Sequence, residues 1–176
     1  SNPKPVGTKV AGVGVYRPEK IVLNDDIAHL IDSSDQWIRE RSGIIQRRYA
    51  NENESVADMA VAACLEAIKE SGINPVDIDL VVLATATNPA QLPNLAMEIA
   101  TRIGATNAGA YDIGAACSGF SYGLAVVSSA ILSGDAKNAI IVGSERMTDF
   151  VSEKDRGTAF LFADGAGAFV VTSSDK

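Results

Sequence analysis

Histidine and cysteine are scarce in this chain. Among 176 residues there is one histidine, His29, and there are two cysteines, Cys64 and Cys117. Two cysteines cannot build a disulfide framework, and a lone histidine with no Cys-x-x-Cys pair excludes the usual zinc sites. That usage points to a reducing, cytoplasmic compartment. Positive charge is also short, with 15 Lys and Arg against 22 Asp and Glu and a net charge of -7. No global positive field exists to displace counterions from a phosphate backbone, so no nucleic-acid partner is expected and any anion site must be local. No apolar run approaches the roughly 20 residues that cross a bilayer, and Ser1-Asn2-Pro3-Lys4-Pro5 has no signal-peptide hydrophobic region, so no membrane partner is expected either. Linkers, low-complexity tracts and solenoid repeats are missing, and the chain reads as one unit. What it does have is 47% hydrophobic residues and 15 glycines, the composition of a compact globule and not of a disordered chain.

The apolar stretch 10–16, rich in valine and stopped by Arg17-Pro18, reads as a strand in which Gly12 and Gly14 mark the close approach of another backbone. A dinucleotide fingerprint would need a third glycine at position 17, where Arg17 stands, and a helix opening there, which Pro18 and Ile21-Val22-Leu23 oppose. Asn24 is placed to cap a short helix reaching residue 30, and Ser34 to cap another holding Trp37, Ile38 and Arg41 and ended by Gly43. The clearest helix follows Ser55: Val56, Met59, Ala60, Ala63, Cys64, Ala67 and Ile68 recur at i, i+3, i+4, i+7, and Gly72 supplies the stop. The run 80–85 is apolar throughout, as in a strand buried on both faces. Pro93 opens a helix to residue 103, followed by a strand over 110–115, a helix over 118–132 and a buried strand over 139–143. Ala163-Asp164-Gly165, between the apolar runs 158–162 and 166–171, predicts a hairpin. The sum is an α/β fold, with a mixed, mostly parallel sheet between helical layers.

Chemistry concentrates at Cys117. The segment Tyr111-Asp112-Ile113-Gly114-Ala115-Ala116-Cys117-Ser118-Gly119-Phe120 leaves a buried strand and enters a helix, which puts Cys117 on a sharp turn at a helix N-terminus. Free backbone N–H groups and the positive end of the helix dipole favour a thiolate there, and the same N–H groups can hold an oxyanion on a thioester carbonyl. Small neighbours leave room for the turn and for a substrate, much as in the serine elbow of hydrolases. The plainer alternative is a small buried core cysteine. Cys64, inside a regular apolar stripe, is assigned to that role.

Several segments together resemble signatures of the ketosynthase III family, the β-ketoacyl-acyl-carrier-protein synthases of the thiolase-like group. They are Asp32-Ser33-Ser34-Asp35-Gln36-Trp37-Ile38, Arg41-Ser42-Gly43-Ile44, Ala115-Ala116-Cys117-Ser118-Gly119-Phe120, Asp155-Arg156-Gly157-Thr158 and Phe162-Ala163-Asp164-Gly165-Ala166-Gly167-Ala168. The resemblance implies that residues 1–176 are the N-terminal, nucleophile-bearing half of a thiolase-like fold, the C-terminal half with the family's catalytic histidine and asparagine being absent. His29, beside Asp25 and Asp26 on a short helix, is expected to be an exposed structural residue and no substitute for them.

The resemblance also implies a reaction. Cys117 is acylated from an acyl-CoA, which is a substrate and not a resident cofactor, and the acyl group is then joined to malonyl acyl carrier protein with loss of carbon dioxide. It implies that Trp37, Arg41 and Arg156 contact the adenine and phosphates of coenzyme A; on composition alone they equally describe solvated arginines around a half-buried tryptophan. It further implies a homodimer paired along residues 110–114, with Leu92 reaching towards the partner's acyl pocket. Leu92 stands where many relatives carry a bulky aromatic, so longer or branched acyl groups are expected to fit. The fragment alone is expected to be inactive. Two alternatives stay open: a non-catalytic thiolase-like binding module, and another synthase of the superfamily, such as a polyketide-priming ketosynthase or a hydroxymethylglutaryl-CoA synthase.

Overall fold

A five-stranded sheet carries most of the chain in the computed structural model, which describes residues 7–175. The strands are β1 (Gly7–Tyr16), β4 (Leu80–Ala84), β5 (Gly109–Ile113), β6 (Asn138–Arg146) and β7 (Asp164–Ser174), in the spatial order β1-β7-β6-β4-β5. β4 runs parallel to β5 and β6, whereas β7 is antiparallel to both β6 and β1. Four strands therefore point one way and β7 alone opposes them, so the expectation of a mixed, mostly parallel sheet holds.

Central strands alternate between two covers, because successive side chains leave opposite faces of a sheet. Val81, Leu83, Ile140 and Val142 pack with helices α3 (Val56–Ser71) and α4 (Leu95–Arg102). Val82, Ala84, Ala139 and Ile141 pack with α5 (Gly119–Ser133). This two-sided burial is why 80–84 is apolar without a break. With the turn before it, α5 makes an 18-residue stretch, Ala116–Ser133, apolar enough to cross a membrane, at a mean hydropathy of 1.4. This differs from the expectation, drawn from the sequence, that no apolar run approaches membrane-spanning length. The buried residues of α5 recur at i, i+4, i+8 and i+12, so one face of the helix packs on the sheet.

Gly12 and Gly14 sit where α3 crosses β1. A methyl on Gly14 would lie 1.9 Å from the Ala63 carbonyl oxygen, and one on Gly12 2.1 Å from that of Ala67, so only glycine admits the helix at this depth. Glu66 and Glu70 of α3 then accept from the outward amides of Val15 and Val13, each at 2.6 Å, and blunt that edge of the sheet. The other edge, β5, has no further strand beside it among the described residues.

A smaller unit, β2 (Lys20–Leu23) paired antiparallel with β3 (Gln46–Tyr49), encloses α1 (Asn24–Ala28) and α2 (Asp35–Ser42). α2 begins on the Ser34 cap and ends on Gly43 at φ 72°, as expected. Asn24 does not cap α1. Its side chain donates to Asp35 and to the Ile44 carbonyl and accepts from Arg47, so three-way satisfaction of a buried amide outcompeted a local cap. Arg47 is buried and also donates to the Val22 carbonyl, which makes it internal structure.

The predicted hairpin at 163–165 is not formed. Residues 155–162 fold into successive turns, with Ala159 and Thr158 bonded to the Asp155 carbonyl and Leu161 and Phe162 to that of Thr158. β7 starts at Asp164, whose buried carboxylate accepts from the amides of Ala50 and Thr148 and from the Thr148 hydroxyl. Asp164 is therefore an anchor, and β7 finds its partners in β6 and the distant β1.

Candidate active site

Cys117 lies in a 3-10 turn, Ala116–Ser118, between the end of β5 and the start of α5. The change of direction is forced at Ala116, a non-glycine residue at φ 44°, a conformation that costs an L-residue roughly 1 kcal/mol or more. α5 can follow so closely because its first two sheet-facing positions are Gly119 and Gly123. A methyl on Gly123 would lie 2.1 Å from Ile141 Cδ1. Ser118 precedes α5 without making a side-chain cap, so no side chain from that position takes up the first helical amides, and the Cys117 thiol is exposed beside them. Cys64 is the opposite case: it is fully buried in α3, and burial pushes its thiol well above the usual range.

The Cys117 thiol opens on a cavity of about 510 Å³. Small residues form much of its wall, namely Ala84, Ala86, Ala116, Gly143 and Ala163. Phe120, Met147 and Phe162 supply apolar bulk, and Phe120 is held edge-on to Phe169 at 5.1 Å. Glu145 is the charged residue of the lining. Its carboxylate accepts from the Ala86 amide at 2.7 Å, from the Thr85 hydroxyl at 3.2 Å and from the Thr87 hydroxyl. Sequence reasoning missed Glu145 because it ended the strand at Gly143, whereas β6 continues to Arg146. The available signal was an acidic residue two places beyond the end of an apolar run.

Trp37, Arg41 and Arg156 come together. The guanidinium carbons of Arg41 and Arg156 lie 5.1 and 5.3 Å from the Trp37 ring centroid, within cation–π range. Phe160 meets the same indole edge-on at 5.5 Å, and Arg156 lies 3.7 Å from Asp32. Asp35, on the first turn of α2, is held below the usual carboxylate range by its hydrogen bond from Arg39 and then by that from Asn24. The turns that replaced the hairpin connect the two regions: Arg156 and Phe160 face Trp37, while Phe162 and Ala163 line the Cys117 cavity. His29 is exposed at the end of α1 and lines no part of that cavity.

Leu92 does not line the Cys117 cavity either. It is 81% exposed on the loop between β4 and α4. Glu145 fastens the first part of that loop, and Asp112 fastens its end by accepting from the Asn88 side chain and the Leu95 and Ala96 amides.

Comparison with known proteins finds relatives of the chain and of its fold. The family model of 3-oxoacyl-[acyl-carrier-protein (ACP)] synthase III matches residues 111–176. The β-ketoacyl-[acyl-carrier-protein] synthase III of Streptomyces glaucescens is 45% identical over 168 residues, 96% of this chain and 50% of that protein. The crystal structure of the priming β-ketosynthase from the R1128 polyketide biosynthetic pathway superposes with a TM-score of 0.96 at 43% identity, covering 100% of this chain and 53% of its own. The synthase III structure from Aquifex aeolicus gives a TM-score of 0.93 at 44% identity, covering 97% and 55%. The chain thus spans about half the length of the relatives it matches.

Proposed function

We propose that this chain, which belongs to the 3-oxoacyl-[acyl-carrier-protein] synthase III family, is the nucleophile-bearing half of a condensing enzyme that starts fatty-acid synthesis in the cytoplasm. The thiolate of Cys117 attacks the carbonyl of an acyl-CoA, coenzyme A leaves as its thiolate and takes a proton from solvent, and the acyl group rides on sulfur in the cavity. Backbone amides at the start of α5 receive the oxyanion. Malonyl carrier protein then loses carbon dioxide, and its enolate carbon takes the acyl group, releasing Cys117 and a 3-oxoacyl carrier protein. Donors for that enolate belong to the other half of the protein, so residues 1–176 alone do not condense. The dimer is proposed to pair along the open edge of β5.

The observation that carries this reading is the exposed Cys117 at the mouth of an apolar cavity, joined by one run of turns to an indole flanked by two guanidiniums. A purine would displace one guanidinium from the ring face, and both cations would then serve phosphates. Priming of a polyketide chain is a second reading, favoured by the likeness to the R1128 enzyme, and shares the acylation step.

Incubation of the full-length protein with acyl-CoA, followed by intact-mass and peptide mass spectrometry, should place one acyl group on Cys117 and none in Cys117→Ala. Trp37→Ala and Arg41→Ala should each weaken coenzyme A binding by roughly tenfold in calorimetry. Acylation elsewhere, or unchanged affinity in both variants, would return these residues to structural roles.

A further inference from the structure

We propose that Glu145 is a positioning residue that fixes the shape of the acyl cavity and thereby selects the length of the acyl chain; this rests on the reading of Cys117 as the acyl carrier. A carboxylate in an otherwise apolar cavity is costly unless its oxygens are matched by donors. Those of Glu145 are matched by three, all from the segment that follows β4. One oxygen takes the Ala86 amide and the other takes the hydroxyls of Thr85 and Thr87. Each hydroxyl is occupied in turn: Thr87 accepts from the Arg146 amide at 2.9 Å, and Thr85 accepts from the Thr87 amide at 3.2 Å. Thr87 is 2% exposed and closes the inner side of the cluster, while Thr85 and Glu145 are half-buried and Ala86 is exposed.

The held segment matters for what surrounds it. Ala84 and Ala86 are wall residues of the Cys117 cavity, and the Thr85 amide donates to the Ile113 carbonyl, four residues before Cys117. Glu145 therefore ties the wall and the approach to the nucleophile to the end of β6. Its charge is spent on that tie, which leaves the cavity suited to an uncharged, apolar acyl group and not to a polar one. Without the carboxylate the Ala86 amide loses its acceptor and the wall is free to move. A displacement of the order of 1 Å changes the fit of a chain far more than the access of a small reagent.

The test uses the full-length protein and two thiol probes, iodoacetamide and N-hexyliodoacetamide, with the second-order rate at Cys117 followed by peptide mass spectrometry. The readout is the ratio of the long-probe rate to the short-probe rate. Glu145→Ala should lower that ratio about tenfold while the iodoacetamide rate stays within about threefold, and Glu145→Gln, which keeps an acceptor for Ala86 but loses the one facing the two hydroxyls, should fall between Glu145→Ala and the parent. Thr87→Val should move the ratio in the same direction and Thr87→Ser should restore it. If Glu145→Ala does not hold its fold, seen as labelling of Cys64, the Thr87 pair decides by the same ratio. An unchanged ratio in both Glu145→Ala and Thr87→Val, or equal loss in Glu145→Ala and Glu145→Gln, would overturn the proposal while leaving Cys117 as the nucleophile. Absence of Cys117 labelling in the parent would overturn both.

Discussion

α3 and α5 lie on opposite faces of the same sheet, each carries one of the two cysteines or begins beside it, and they are finished very differently. α3 buries nine of its 16 residues, starts on a capping box between Ser55 and Asp58, and ends on Gly72 at φ 68°. α5 is the more apolar helix, yet among its 15 residues only Gly119, Gly123, Val127 and Ile131 are buried. Tyr122, Val126 and Leu132 are exposed, and Ser118 makes no cap. A helix satisfied at both ends and on its inner face has nothing left to offer a ligand. α5 has no side-chain cap at its start, an exposed thiol beside that start, and apolar residues on its outer side that the described residues leave uncovered. The unfinished side of the sheet is the side that holds the chemistry.

The largest expected contrast is in thiol reactivity. In the folded protein Cys117 should react with iodoacetamide at least about 10³-fold faster than Cys64, which is reachable only through opening of α3. Site-resolved labelling checks this, and comparable rates would erase the distinction between the two helices. A smaller contrast concerns stability. Met59→Ala, at a fully buried position of α3, should cost about 2–5 kcal/mol, and Ser55→Ala about 1 kcal/mol through the lost cap. Ser118→Ala should stay within about 0.5 kcal/mol in urea denaturation, since no cap is lost there.

The smallest expected effect is a pH dependence at the entry to α3. The Tyr16 hydroxyl donates to Glu54, the residue before the Ser55 cap. That bond, with burial and the charge of Glu54, raises the Tyr16 pKa from 10.0 to about 12. Its stabilisation is complete below pH 10 and is lost as the pH rises through about 12. Glu54 is lowered, first by the Asn51 amide and then by Tyr16, so its contribution is present above the unfolded carboxylate value and fades as the pH falls through the lower folded one. Tyr16→Phe should flatten the alkaline limb and weaken the acid limb of stability against pH, with about 1 kcal/mol or less lost at neutrality. An alkaline limb identical to the parent's would assign that limb to other groups.

Local rules determined much of this molecule from the sequence alone. The 3.6-residue spacing after Ser55, the glycine stops at 43 and 72, the continuous apolar run at 80–85 and the small-residue turn around Cys117 each reflect physics that acts within a few residues. The recurrence of short motifs carried the family resemblance, because each is a local pattern. What failed was whatever depended on a distant partner. Asn24 exchanged a cap for contacts with Asp35, Ile44 and Arg47, and Asp164 became the anchor of a strand whose neighbours come from residues 7–16 and 138–146. The turns of 155–162, set by their own carbonyls and by Phe160 against Trp37, decided that Arg156 stands over that indole and that Phe162 walls the cavity. Glu145 gained its role in the same way, from an 85–87 segment nearly 60 residues earlier in the chain. A buried polar group is satisfied by whichever donor the tertiary fold brings within 3 Å or so, and sequence spacing carries no record of that choice.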